Sequence, residues 1–124
     1  MQLTLENPDF RYSLRGAAGD YALVNEQRLQ ASFVLAPNQL LTDWRPGSIA
    51  DLTAADFDAV LALEPAVVLL GSGSRLVFPA PAVMAACLTR GIGLEVMDNA
   101  AAARTFNVLA TEGRRVVGAF LISG

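Results

Sequence analysis

Ala66-Val67-Val68-Leu69-Leu70-Gly71-Ser72-Gly73-Ser74 decides how this chain folds. An unbroken apolar run with two adjacent valines reads as a strand buried on both faces, and Gly-Ser-Gly-Ser closes it abruptly into a loop whose backbone N–H groups are free. The rhythm returns at Gly93-Leu94-Glu95-Val96-Met97-Asp98-Asn99, a second short strand that ends in residues able to cap a helix. A helix between the two completes a βαβ unit. The strands are therefore expected to be parallel neighbours, in an α/β domain.

Outward from this unit, the intervening helix starts near Pro81, where proline suits a first turn, and ends at Arg90-Gly91. Val83, Met84, Cys87 and Leu88 share one of its faces. A third helix spans about Asn99 to Glu112, with Ala102, Phe106, Leu109 and Ala110 as its core stripe and Arg104, Asn107 and Thr111 on the other side. Gly113 ends it, and Arg115 to Ile122 reads as a last strand in the same sheet. Upstream, Thr53 is an N-cap with Asp56 three residues on, Phe57, Val60 and Leu61 form the buried stripe of another helix, and Pro65 closes it. The first third reads as β structure. Phe10, Tyr12 and Leu14 alternate with Arg11, Ser13 and Arg15 until Gly16 to Gly19 break the strand. Tyr21 to Val24 and Arg28 to Leu35 then form a hairpin about Asn25-Glu26-Gln27, and Leu40 to Trp44 a short strand.

With 124 residues, the chain suits one domain, 1–124, with a single core. It is 53% apolar, but no apolar run approaches the roughly 20 residues that span a bilayer. The first residues carry neither an export signal nor an organelle presequence, so a cytoplasmic location is expected. All nine basic residues are arginines, against twelve carboxylates, and there is no histidine. Lysine-based Schiff-base chemistry, a P-loop lysine, a Ser-His dyad and the usual histidine-containing zinc sites are thereby excluded. A net charge of −3 argues against nucleic acid as a partner. The single Cys87 has no disulfide partner within the chain and no histidine to activate it, so it is expected to pack as a small hydrophobe.

The most suggestive loop is Gly71, Ser72, Gly73, Ser74, followed by Arg75. Two readings stay open: a tight turn that needs glycine for its backbone, or a cradle whose N–H groups face an anion. A dinucleotide fingerprint would need glycine where Leu76 stands. Asp43, Trp44, Asp98, Asn99 and Arg104 lie at strand ends or on a helix opening from one, so in a parallel sheet they are candidates to line a crevice with this loop. Each also has an ordinary structural role: N-cap for Asp98 or Asn99, packing for Trp44, a surface charge for Arg104. Nothing in the spacing brings Asp43, Glu95 and Asp98 together for acid–base chemistry, so no catalytic residue, metal or cofactor is assigned.

Three segments carry a family resemblance: Val67 to Gly73, Gly91 to Asp98, and Ala102 to Val116 with its Arg-Thr-Phe-Asn-Val-Leu and Glu-Gly-Arg. Together with the Asn25 turn, Ser32 to Leu35 and Trp44, they resemble the small domain shared by bacterial and archaeal proteins of unknown function and a mitochondrial respiratory complex I assembly factor. Asn99 stands where that family more often has threonine, and either residue caps a helix. The resemblance implies a three-layer α/β fold with a mixed, largely parallel central sheet and additional N-terminal β structure. It implies no established enzymatic activity. What it does imply is a protein-interaction or complex-assembly role with an unidentified protein partner. A small-anion- or metabolite-binding protein, or an enzyme, using the crevice at the Gly71 to Ser74 loop is the alternative, and a homo-oligomer is left open.

Overall fold

The computed structural model describes residues 11–123. Strands β1 (Leu14–Ala17), β2 (Ala22–Val24) and β3 (Gln27–Leu29) form a small antiparallel sheet. They are followed by β4 (Phe33–Ala36), β5 (Gln39–Leu41), the single-turn α1 (Asp58–Leu61), β6 (Val67–Gly71), α2 (Pro81–Leu88), β7 (Gly93–Met97), α3 (Asn99–Thr111) and β8 (Val116–Phe120). The second sheet runs in the order β5-β4-β8-β6-β7. β6 pairs in parallel with β7 on one side and β8 on the other, while β4 is antiparallel to both β8 and β5. The parallel β6–β7 neighbours and the placement of 115–122 in their sheet are as the sequence predicts.

Alternation along the central strands sorts their side chains between two cores, because successive residues point to opposite faces. Phe33, Leu35, Leu69, Val116 and Phe120 meet Ala102, Phe106 and Ala110 of α3 together with Leu14, Val24 and Leu29 of the small sheet. Val34, Val68, Leu70, Val117 and Ala119 meet Phe57, Val60, Trp44 and Cys87 on the other face. Three layers result. Phe33 and Phe120 stack at 5.0 Å between ring centroids, across the antiparallel β4–β8 pair. No helix among the described residues is long and apolar enough to cross a membrane.

Several local expectations are corrected. Phe10 lies outside the described residues, and the first strand runs through Gly16 instead of stopping there, with a register shift between Leu14 and Gly16. Asn107, expected on the outer side of α3, is half-buried: its amide accepts from Leu14 N–H at 3.0 Å and donates to Leu14 C=O at 2.6 Å, fastening β1 to the helix. The predicted second arm of the hairpin divides in two. β3 ends at Leu29, and β4 begins at Phe33 in the other sheet. The crossing is made at buried Ser32, whose hydroxyl accepts from Ile122 N–H at 2.9 Å while its carbonyl accepts from Trp44 N–H at 2.9 Å. The alternation of Arg28 to Leu35 conceals this break, since both pieces keep their apolar residues inward.

The strand predicted over Leu40 to Trp44 ends at Leu41, and Asp43 turns the chain with φ of 59°. The helix predicted after Thr53 is a 3-10 turn, Ala54–Phe57, followed by α1. Leu88 is exposed, because the face that α2 buries is centred on Cys87, about 100° away around the helix.

A polar clamp holds this connection. Arg45 donates to both oxygens of Asp56, from Nε at 2.8 Å and Nη2 at 2.7 Å, and from Nη1 to Asp51 at 3.1 Å. Asp56 also accepts from Thr53 N–H at 2.8 Å, as a capping residue does, and its carbonyl accepts from Trp44 Nε1 at 2.9 Å. The Arg45 guanidinium, with Thr53 adding, holds the Asp56 carboxyl down at about 2 against its ordinary value of 3.8. Because the folded value is the lower one, the stabilisation is fully present above the ordinary value and is lost as pH falls through about 2. The expected outcome is that Asp56→Asn lowers the melting temperature at neutral pH and flattens its fall between pH 4 and pH 2, followed by circular dichroism. Equal slopes in both proteins would contradict the clamp.

Candidate functional site

The glycine loop leaves β6 at the carboxyl end of the parallel strands, as the sequence predicts, and most of its polar groups are engaged within the fold. Ser72 N–H donates to Met97 C=O at 2.8 Å, extending the β6–β7 pairing by one bond. Its hydroxyl donates to Arg75 C=O at 2.6 Å, lies 3.1 Å from Met97 C=O, and accepts from Val77 N–H at 3.2 Å. Ser72 thereby folds residues 72–77 into a closed loop.

Gly73 N–H donates to Asn99 Oδ1 at 3.1 Å, and Asn99 N–H donates back to Gly73 C=O at 2.8 Å. Asn99 is fully buried, and its Nδ2 donates to Ala18 C=O at 2.7 Å and Leu121 C=O at 2.9 Å. One side chain thus ties together the glycine loop, the first helix turn, the β1–β2 turn and the segment after β8. Gly71 has no room for a side chain: a Cβ there would overlap the Asn99 amide and lie 2.8 Å from the Phe120 ring. Asp98 is the N-cap of α3, accepting from Ala101 N–H at 2.8 Å.

The candidate residues do not share one crevice. Ser72, Gly73, Ser74 and Arg75 line a shallow cleft of about 180 Å³ with Ser48 and Ser123. Arg104 lines a separate cleft between β1 and α3, beside Tyr21 and Asn107. Trp44 packs edge-on against Phe57 in the core layer, 6.2 Å between ring centroids. Asp43 is exposed, and neither it nor Trp44 lines either cleft.

Sequence reasoning passed over what the loop presents. Leu76, Val77 and Phe78 are 53%, 43% and 61% exposed, three consecutive apolar side chains between the Ser72 closure and buried Pro79. The available signal was an apolar triplet just before Pro79-Ala80-Pro81, where no helical or strand period accounts for it.

Residues 14–121 match a family described as proteins of unknown function, DUF498/DUF598. The chain belongs to this family. Among curated relatives, NADH dehydrogenase [ubiquinone] 1 alpha subcomplex assembly factor 3 of Bos taurus is 40% identical over 113 residues, covering 90% of this chain and 58% of the relative. The Homo sapiens protein of the same name is 37% identical over 102 residues, covering 81% and 54%. The chain therefore spans little more than half the length of these relatives. A Xanthomonas campestris protein solved by NMR is 59% identical, covers 98% of this chain and 92% of its own, and superposes with a TM-score of 0.83. A Bordetella pertussis structure described as an Mth938-like domain is 29% identical, with coverage of 100% and 94% and a TM-score of 0.81. The α/β fold is that of these family members.

Asn99→Ala would leave the Gly73 N–H and the Ala18 and Leu121 carbonyls without their partner. At about 1–3 kcal/mol for each buried group left unsatisfied, the expected loss is at least about 2 kcal/mol. Urea denaturation reads this, and hydrogen exchange at the Gly73 amide should speed up with it. A loss under about 0.5 kcal/mol, the scale of an ordinary surface substitution, would refute the linking role.

Proposed function

We propose that this domain is a non-enzymatic protein-docking module that serves assembly of a larger protein complex, with the Leu76-Val77-Phe78 loop as its contact surface. The observation that carries the reading is the exposure of these three apolar side chains on a loop held by Ser72 at one end and Pro79 at the other. Apolar surface left contiguous and exposed marks interaction sites, and an aromatic held in place before binding loses little entropy when a partner covers it. The names of the curated relatives, which are assembly factors, support the same reading. A cytoplasmic setting and an unidentified protein partner are part of the proposal.

The alternative, a small anion at the Gly71 to Ser74 loop, draws on the cleft of about 180 Å³ beside Ser72, Ser74 and Arg75. It is the weaker reading because the Ser72 and Gly73 N–H groups, which an anion would need, donate to Met97 and Asn99. Arg75 and Ser74 are what remains for it.

The test compares affinity purification of the wild-type chain with the Leu76→Ser/Phe78→Ser variant. Both positions are exposed, so the melting temperature should stay within about 2 °C. A defined protein retained by the wild type and lost by the variant is the expected result, and light scattering of the purified chain identifies the case in which that protein is a second copy. Equal retention by both chains would remove the loop from the interaction. An anion that raises the wild-type melting temperature, with the shift abolished in Arg75→Ala, would favour the alternative.

A further inference from the structure

At the opposite end of the central sheet, where β6 and β8 begin, lies a cleft of about 290 Å³. Its walls are Ala36 and Pro37 from the β4–β5 turn, Leu63 and Pro65 before β6, and Val116, with Arg114 and Arg115 beside them. We propose that this cleft binds a small carboxylate with a short aliphatic body, its charged end on the two arginines and its apolar end against Pro37, Leu63 and Pro65.

Two arginines and an apolar wall meet in this cleft. The chain carries a net −3, yet among the described residues no aspartate or glutamate lines the cleft. Two arginines elsewhere are matched by carboxylates: Arg15 pairs with Glu26 and Arg45 with Asp51 and Asp56. The Arg114 side chain has neither a hydrogen bond nor an ion pair among the described residues. Arg115 is oriented without being neutralised, since its Nε donates to Glu64 C=O at 3.2 Å and leaves its terminal nitrogens for a ligand. Both residues that set up this arrangement have left-handed backbones, Glu64 with φ of 55° and Gly113 with φ of 78°. A guanidinium fork matches a planar carboxylate, and the proline and leucine walls match an alkyl chain better than a second charge. The volume is at the lower limit for small-molecule sites, so the ligand is small. This site is separate from the Leu76 to Phe78 loop and does not depend on the docking reading.

The test is a titration of the full chain, followed by amide NMR, with pentanoate, with pentanamide, and with a short peptide ending in Leu-Val as its free acid or its amide. The expected result is saturable movement of the resonances of residues 36–39 and 113–117 with an acid and not with the matching amide. Saturation by pentanoate identifies a free acid as ligand, and saturation by the peptide acid alone identifies a chain terminus; either supports the site. Arg114→Gln, at an exposed position whose side chain has no bond to lose among the described residues, should weaken binding at least about tenfold with the spectrum otherwise unchanged. Equal movement with acids and amides, saturation at other residues, or unchanged affinity in Arg114→Gln and Arg115→Gln would each overturn the proposal.

Discussion

The structure turns on the side chain of Asn99, which makes three hydrogen bonds to three separate segments from a fully buried position. Parallel strands leave their carboxyl ends with backbone groups that the ladder no longer satisfies, and burying those groups unpaired is costly. In this fold the end of β6, the turn after β1 and the segment beyond β8 converge on that place. One amide, with two protons to donate and an oxygen to accept, satisfies a group from each. The close approach fits only because Gly71 has no side chain. The small N-terminal sheet is thereby joined to the α/β layer by polar links from two positions of α3, Asn99 at its start and Asn107 further along.

This arrangement fills the position where an open α/β sheet would ordinarily hold a ligand. Protein atoms take up the hydrogen-bonding capacity of Ser72 and Gly73, and what projects outward is Leu76, Val77 and Phe78. Chemistry is thin here. Asp98 caps a helix, the Trp44 indole donates to Asp56 C=O, and Cys87 is buried in the core, where loss of solvent pushes its thiol up and makes it a poorer nucleophile. What the loop exposes is apolar surface, and that exposure is what the docking proposal rests on.

How much of this the sequence disclosed varied with the range of the interactions responsible. The runs at 66–70 and 93–97, the helix opening at Pro81 and the one opening at Asn99 were readable because caps, glycines and apolar periods act within a few residues. Thr53 and Asp56 were readable as a cap for the same reason, though the helix beyond them shrank to short turns. The division of Arg28 to Leu35 between two sheets was hidden, because Ser32 is drawn out of the alternation by Ile122, ninety positions away. The bond between Asn107 and Leu14 spans ninety-three positions and leaves no local mark.

For the candidate site the same boundary applies. By itself the sequence determined that a glycine loop follows a buried strand, although Gly71 is that strand's last residue, that a helix opens beside it, and that histidine and lysine chemistry are absent. Those follow from local backbone preferences and from composition. Only the tertiary structure decided that Arg104 faces a different cleft from Arg75, and that Trp44 belongs to the core. It also decided that Asn99 acts as a link between segments more than as a cap. Each of these depends on which distant segments share a small volume, and the packing of two sheets against one helix sets that, not the residues on either side in the chain.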